Sequence, residues 1–163
     1  MVKPKPQKIF GAASFVLVGA VLATTQTANA GSLTIQPIRQ ELELKPGQSI
    51  TNRLTVSNTS NAERTISLSA ENFSIINENY DYAFAKSEEL AKWVHFDGVE
   101  AVLKPGTSRT FSYSVGVPSN AEPGGKYIAV FATTGSEQIN QPVTTLERAG
   151  TLLYITVPGQ TTK

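Results

Sequence analysis

From Leu33 onward, apolar residues recur at every second position in short runs broken by Pro, Gly, Asn and Ser, and almost nothing has helical spacing. A period of two puts one set of side chains on one strand face, so this chain is committed to half-buried strands joined by tight turns. The first run passes through Leu33, Ile35, Ile38, Leu42 and Leu44 with Pro37 inside it. A proline cannot donate to a ladder, so it marks an edge strand or a kink between two short strands. Lys45-Pro46-Gly47-Gln48 forms a turn, with Pro fixing φ at its second position and Gly free to take positive φ at its third. A strand with Ile50, Leu54 and Val56 on one face follows. Asn58-Thr59-Ser60-Asn61 turns the chain into another, marked by Ile66, Leu68 and Ala70. These strands form a meander or are shared between two sheets.

Phe73 to Ala85 is less regular and leads to a short helix over Ser87 to Ala91, with a hydroxyl cap and early acids to complement the free amides. Trp93 and His95 then alternate with Val94 and Phe96. Leu103 to Ser108 repeats the Leu-Lys-Pro-Gly-x-Ser pattern of Leu44 to Ser49, which predicts two equivalent turns. A strand through Phe111, Tyr113, Val115 and Val117 comes next. Tyr127 to Thr134 is apolar on both faces, as in a central strand, and Ala149 to Val157 supplies the last strand. Gly135 to Pro142 is the apolar-poor hairpin tip between them. The fold class is therefore all-β: an immunoglobulin-like antiparallel β-sandwich of about seven to eight strands with one short helix.

Residues 1–30 have the layout of a signal peptide: Lys3, Lys5 and Lys8, an apolar stretch from Ile9 to Ala23, then Ala28-Asn29-Ala30 as a cleavage site. An uncleaved membrane anchor is the alternative. The expected division is 1–30 signal and 31–163 one sandwich domain, exported to the periplasm, the cell surface or the medium. The chain has no cysteine, so packing rather than disulfides or thiolate metal sites must hold it together. The eleven Lys and Arg of residues 31–163 nearly balance thirteen Asp and Glu, which gives nucleic acid and anionic bilayers no electrostatic footprint.

Residues able to do chemistry are few. His95, the only histidine, has no nucleophile or orienting group nearby in sequence and reads as a strand-edge or packing residue. No Gly-x-Ser-x-Gly elbow or Ser-x-x-Lys box appears, and the carboxylate pairs Glu41/Glu43 and Glu88/Glu89 read as solvated. Asn77, Glu78, Asn79 and Asp81 form either a solvated loop or an oxygen cluster for calcium, without the distal Glu of an EF-hand. Tyr80, Tyr82 and Phe84 interleave with that loop, either stacking on sugars or stapling it to the sandwich. Trp93 belongs to the core. Gln138, Asn140 and Gln141 at the hairpin tip are contact candidates, since loop ends of rigid sandwiches carry binding surfaces. Asn58-Thr59-Ser60 and Asn72-Phe73-Ser74 fit the glycosylation sequon. Neither a metal nor another cofactor is expected.

Pro37-Ile38-Arg39, Leu44-Lys45-Pro46-Gly47, Leu54-Thr55-Val56-Ser57-Asn58, Trp93-Val94-His95-Phe96, Leu103-Lys104-Pro105-Gly106, Val117-Pro118, Pro123-Gly124-Gly125-Lys126-Tyr127 and Arg148-Ala149-Gly150 span the exported part. In that order they resemble the peptidoglycan-binding domain of bacterial WxL-interacting proteins. That resemblance implies a non-enzymatic envelope module contacting wall polymer or a surface protein. Relatives usually continue into a second domain and a C-terminal helix, whereas this sequence ends at Lys163. The chain also resembles the N-terminal domain of periplasmic pilus chaperones, through its proline-x-arginine, turn and Val-x-Asn strand. By that likeness Arg39 matches the basic residue that holds a pilin carboxylate, with Lys104 and Arg109 as candidates for a second anchor. The expected function is a cell-envelope binding module, or alternatively an assembly chaperone acting by strand addition, with a membrane partner only if the N-terminal segment stays attached.

Overall fold

The computed structural model describes residues 32–79, 81–85, 88–136 and 145–159. The signal segment lies outside them. The described chain forms ten strands and one short helix in two packed sheets. The smaller sheet has the order β1 (Leu33–Gln36), β3 (Ser49–Asn58), β8 (Ser108–Gly116), β6 (Val94–Phe96). The larger runs β2 (Arg39–Glu43), β10 (Thr145–Val157), β9 (Gly124–Ser136), β4 (Arg64–Ile75), β5 (Tyr82–Ala85), and β7 (Glu100–Leu103) also pairs with β4. Helix α1 (Glu88–Ala91) precedes β6.

The immunoglobulin-like sandwich is present, and its strands are shared between sheets rather than laid out as a meander. The first apolar run divides at Pro37, its front half pairing with β3 and its back half with β10. The stretch from Trp93 to Leu103 also supplies one strand to each sheet, β6 and β7. One pair departs from the antiparallel rule: β2 runs parallel to β10, with Arg39 opposite Leu152 and Glu43 opposite Thr156.

The core lies between the sheets and takes alternate residues of each long strand, among them Leu54, Val56, Ile66, Tyr113, Val130 and Leu153, all essentially inaccessible. β9 lies between β10 and β4, and both its faces are covered, Ile128, Val130 and Ala132 by the core and Ala129 and Phe131 by a second apolar cluster, which is why its sequence is apolar on both faces. The two Leu-Lys-Pro-Gly turns are equivalent. Leu44 and Leu103 are buried, Gly47 and Gly106 have φ of 79° and 69°, and Gln48 and Thr107 each donate N–H to the lysine carbonyl three residues back. Positive φ at the third position is what a type II turn needs. Trp93 is buried as anticipated, but it precedes β6, and His95 points to solvent, so the two do not share a face. Strand alternation begins only at Val94.

Candidate functional site

Because the first strand changes sheets at Pro37, it covers only part of each neighbour. In the smaller sheet it pairs with residues 55–58 of β3 and leaves Ser49–Leu54 open on that side. In the larger sheet it pairs with residues 152–156 of β10. Among the described residues no strand is hydrogen-bonded to Thr145–Thr151 on that edge, although β1 passes close to β10. Leu152 N–H donates to the Ile38 carbonyl and the Thr156 carbonyl accepts from Leu44, so even-numbered residues of β10 turn their main-chain groups toward this edge. By the same alternation Leu146, Arg148 and Gly150 direct N–H and C=O to the open half. Glu147 faces inward, where its carboxylate accepts from the backbone N–H of Ser32 (3.1 Å) and from its hydroxyl, tethering the start of β1 to β10.

The outer face of the same sheet carries a second apolar cluster, separate from the main core. Phe73 on β4 is 3% exposed although it points away from the sandwich interior, because aromatic side chains from three other strands close around it. Its ring centroid lies 5.4 Å from Tyr82, 5.5 Å from Tyr127, 5.5 Å from Tyr154 and 6.2 Å from Phe84. Several of these contacts are edge-to-face, the arrangement ring quadrupoles favour. Phe84 meets Phe131 edge-on at 5.1 Å.

Two arginines bracket the cluster. Arg39 lies over the Tyr154 ring at 4.1 Å and donates to Glu41 at 2.6 Å. Arg148 lies over Phe131 at 3.7 Å and donates to Glu71 at 2.8 Å, a carboxylate that is almost fully buried. The Tyr154 phenol pKa is raised, first by the hydrogen bond shared with Tyr82 (3.3 Å) and then by desolvation.

Between these groups lies a depression of about 440 Å³ lined by Ile38, Arg39, Tyr82, Phe84, Phe131, Gly150, Leu152 and Tyr154. Gly150 makes it possible. A β-carbon there would sit 2.8 Å from the Phe131 ring, so the missing side chain lets that ring lean over β10 and floor the depression. An aromatic covering a strand glycine from the neighbouring strand is a recognised packing device.

Of the residues singled out from sequence, Arg39, Tyr82 and Phe84 meet at this depression. Tyr80, Gln138, Asn140 and Gln141 lie outside the described residues. Lys104 sits in the turn after β7, and Arg109 lies at 5.4 Å over the Phe111 ring in the other sheet, so neither forms a pair of cations with Arg39. In the Asn77–Asp81 loop, Asn77 Oδ1 accepts the amides of Asn79 (3.0 Å) and Asp81 (3.1 Å), and its Nδ2 donates to Asp81 (2.6 Å). Those oxygens are spent on closing the turn, and no group of three acidic or histidine side chains suited to a metal occurs among the described residues. Tyr82 and Phe84 staple β5 to the sheet while remaining about 40% exposed. Asn58 is fully buried and hydrogen-bonded, so its sequon cannot carry a glycan.

Phe73, Phe131, Gly150 and Tyr154 were not singled out from sequence. The signal that could have found them is the double-sided apolar run of β9, which demands a cover on its outer face, and the lone glycine in the middle of the last strand.

Strand order, the sheet-switching first strand and the sandwich geometry define an immunoglobulin-like β-sandwich, with a fold like that of PapD-like domains. No family model and no curated protein matches the chain. Among solved structures it is similar to PapD-like domain 7 of human CEP192, at 12% identity and TM-score 0.52, over 91% of this chain and 100% of that one. It is also similar to the class 5 fimbriae chaperone CfaA (12% identity, TM-score 0.53), over 78% of this chain and 57% of that one. A third is the CsuC–CsuE chaperone–tip adhesion subunit complex of Acinetobacter baumannii (11%, TM-score 0.51; 79% of this chain, 58% of that one). This chain thus spans little more than half the length of the chaperone chains it matches. At such identities the likeness is one of fold. It supports the pilus-chaperone resemblance, whereas the one to WxL-interacting proteins rests on sequence motifs alone. No helix among the described residues is long and apolar enough to cross a membrane.

Proposed function

We propose that this chain is an exported, assembly-chaperone-like binding domain, which takes up a strand of a surface-protein subunit along the open edge of β10 and performs no chemistry of its own. The observation that carries this reading is the half-covered β10: among the described residues Thr145–Thr151 is paired on one side only, with Leu146 65% exposed beside an aromatic face. A long unpaired edge offers main-chain hydrogen bonds to a guest strand, and pockets for alternate side chains give it specificity. The other open strand flanks are defended or shorter. β2 presents Arg39, Glu41 and Glu43, and β5 has four residues. Charged and short edges discourage pairing. The fold shared with fimbrial chaperones supports this alternative over the wall-polymer reading, for which the described surface offers no comparable feature.

The absence of cysteine makes a direct test simple. Single cysteines at Leu146, at Arg148 and, as a control, at Ile50 on the open half of β3 are labelled with a short photocrosslinker in the native cell envelope. Crosslinks from positions 146 and 148 to one segment of an envelope protein, absent from position 50 and weakened by Arg39→Ala, are the expected result. Co-sedimentation with insoluble peptidoglycan, muramic acid in the eluate and no protein crosslink would replace this reading with wall-polymer binding.

A further inference from the structure

The depression over Gly150 begins where the open half of β10 ends. Ile38 and Gly150 form its edge-side rim, while Tyr82 and Phe84 close the far side. The residues of β10 that face outward at the open half are Leu146, Arg148 and Gly150, because Leu153, Ile155 and Val157 of opposite parity fill the core. A guest strand beside them runs about 4.8 Å away, with cross-strand β-carbons about 5 Å apart. Its outward side chain nearest Gly150 meets no competing β-carbon and projects over the depression.

We infer that this depression is an anchor pocket for one bulky apolar side chain, aromatic or branched aliphatic, of the strand that adds to β10; this rests on the strand-addition reading above. The chemistry of the lining decides the occupant. Ile38 is 72% exposed, and with Leu152, Phe84 and Phe131 it gives the depression a largely hydrocarbon lining. The polar groups at the rim are engaged: Arg39 with Glu41, and the Tyr154 hydroxyl with that of Tyr82. A sugar needs several free donors and acceptors for its hydroxyls and finds few here, and an ionic side chain would be desolvated without a counter-charge. An apolar side chain loses nothing by entering, and its burial raises affinity roughly ten- to a hundred-fold.

The test uses a nine-residue strand-forming peptide of alternating Thr and Val, with one outward position X set to Ala, Lys, Leu or Phe. Affinity is measured by titration, and amide hydrogen exchange on β10 is followed in parallel. Leu and Phe peptides should bind at least about ten-fold tighter than Ala, with Lys weakest. All bound peptides should protect the amides of Leu146, Arg148 and Gly150. Ile38→Asp, at an exposed position that leaves the core untouched, should abolish the Leu and Phe advantage, read as the ratio of Leu- or Phe-peptide affinity to Ala-peptide affinity within the variant. Equal affinity for all four peptides with β10 protected would overturn the anchor pocket and keep strand addition. Protection on Ser49–Leu54 instead, or no protection by any peptide at millimolar concentration, would overturn both.

Discussion

Asn58 ends β3 with its side chain fully buried, and it holds together three stretches of chain that share no strand pairing at that point. Its Nδ2 donates to the carbonyls of Ala62 (2.8 Å) and Leu103 (3.0 Å), and its Oδ1 accepts from Ser60 N–H (3.0 Å) and Oγ–H (2.7 Å). Asn58→Ala removes these four bonds and a longer one from Nδ2 to the Lys104 carbonyl (3.3 Å). The Ser60 and Ala62 groups are partly exposed and regain water, whereas the buried Leu103 carbonyl keeps only its pairing in the β4–β7 ladder and has no water to replace the lost donor. At about 0.5–1.5 kcal/mol net per bond, the loss sums to about 2–4 kcal/mol. With a urea slope of about 2 kcal/mol per molar, the unfolding midpoint should fall by about 1–2 M at unchanged slope. Asn58→Asp keeps the acceptor but aims a carboxylate at the Leu103 and Ala62 carbonyls, so it should cost at least as much at pH 7. A protonated acid can donate, so its deficit relative to wild type, measured at each pH, should shrink in acid. The pKa of the new carboxyl is raised by folding, and protonation is therefore the state that favours the native form. A midpoint shift below about 0.5 M for Asn58→Ala, or an Asp variant as stable as wild type at pH 7, refutes this account.

Other substitutions probe the remaining features. Tyr113 is inaccessible, and its hydroxyl lies toward Gln40 and Asn52 without meeting a partner in hydrogen-bond geometry, so Tyr113→Phe should leave stability unchanged or raise it by up to about 1 kcal/mol in urea titrations. Burial raises the pKa of that phenol, so its contribution is intact below the ordinary tyrosine value and is lost as pH rises above it; melting temperatures from pH 8 to 11 should fall less steeply in the Phe variant. Phe73→Ala empties the outer-face cluster and should cost about 3–4 kcal/mol, with faster hydrogen exchange along β5; a cost under 1 kcal/mol would mean the cluster is decorative. Gly150→Val forces the Phe131 ring off β10 and should cost about 1–3 kcal/mol by denaturant titration, with altered near-ultraviolet dichroism. Arg148→Ala strands the buried Glu71 carboxylate and should cost about 1–3 kcal/mol, partly recovered by adding Glu71→Gln.

Much of the fold was legible because strand alternation and turn chemistry are local properties. The repeated Leu-Lys-Pro-Gly pattern announced two equivalent turns, since proline and glycine fix φ without help from distant residues. The double-sided apolar run from Tyr127 to Thr134 announced a central strand. The site was far less legible. Arg39, Tyr82 and Phe84 were singled out, the first through resemblance and the others as loop aromatics, but nothing in their spacing says that all three line one depression with Phe131 and Leu152. Trp93 and His95 looked like neighbours on one face because alternation was assumed one residue too early, within the turn after α1.

The sequence by itself determined that this chain forms short strands with one buried face, where its turns fall, and that packing without disulfides must hold it together. Each of those follows from residue-level sterics and the two-residue period, which act within a few positions of the chain. Only the tertiary structure decided that the first strand leaves one sheet for the other at Pro37, that β2 lies parallel to β10, and that among the described residues half of β10 has no strand paired to it on that edge. Pairing between strands more than a hundred residues apart is set by which arrangement buries the most apolar surface while satisfying the most backbone groups. No local pattern encodes that sum, and the candidate binding edge is its by-product.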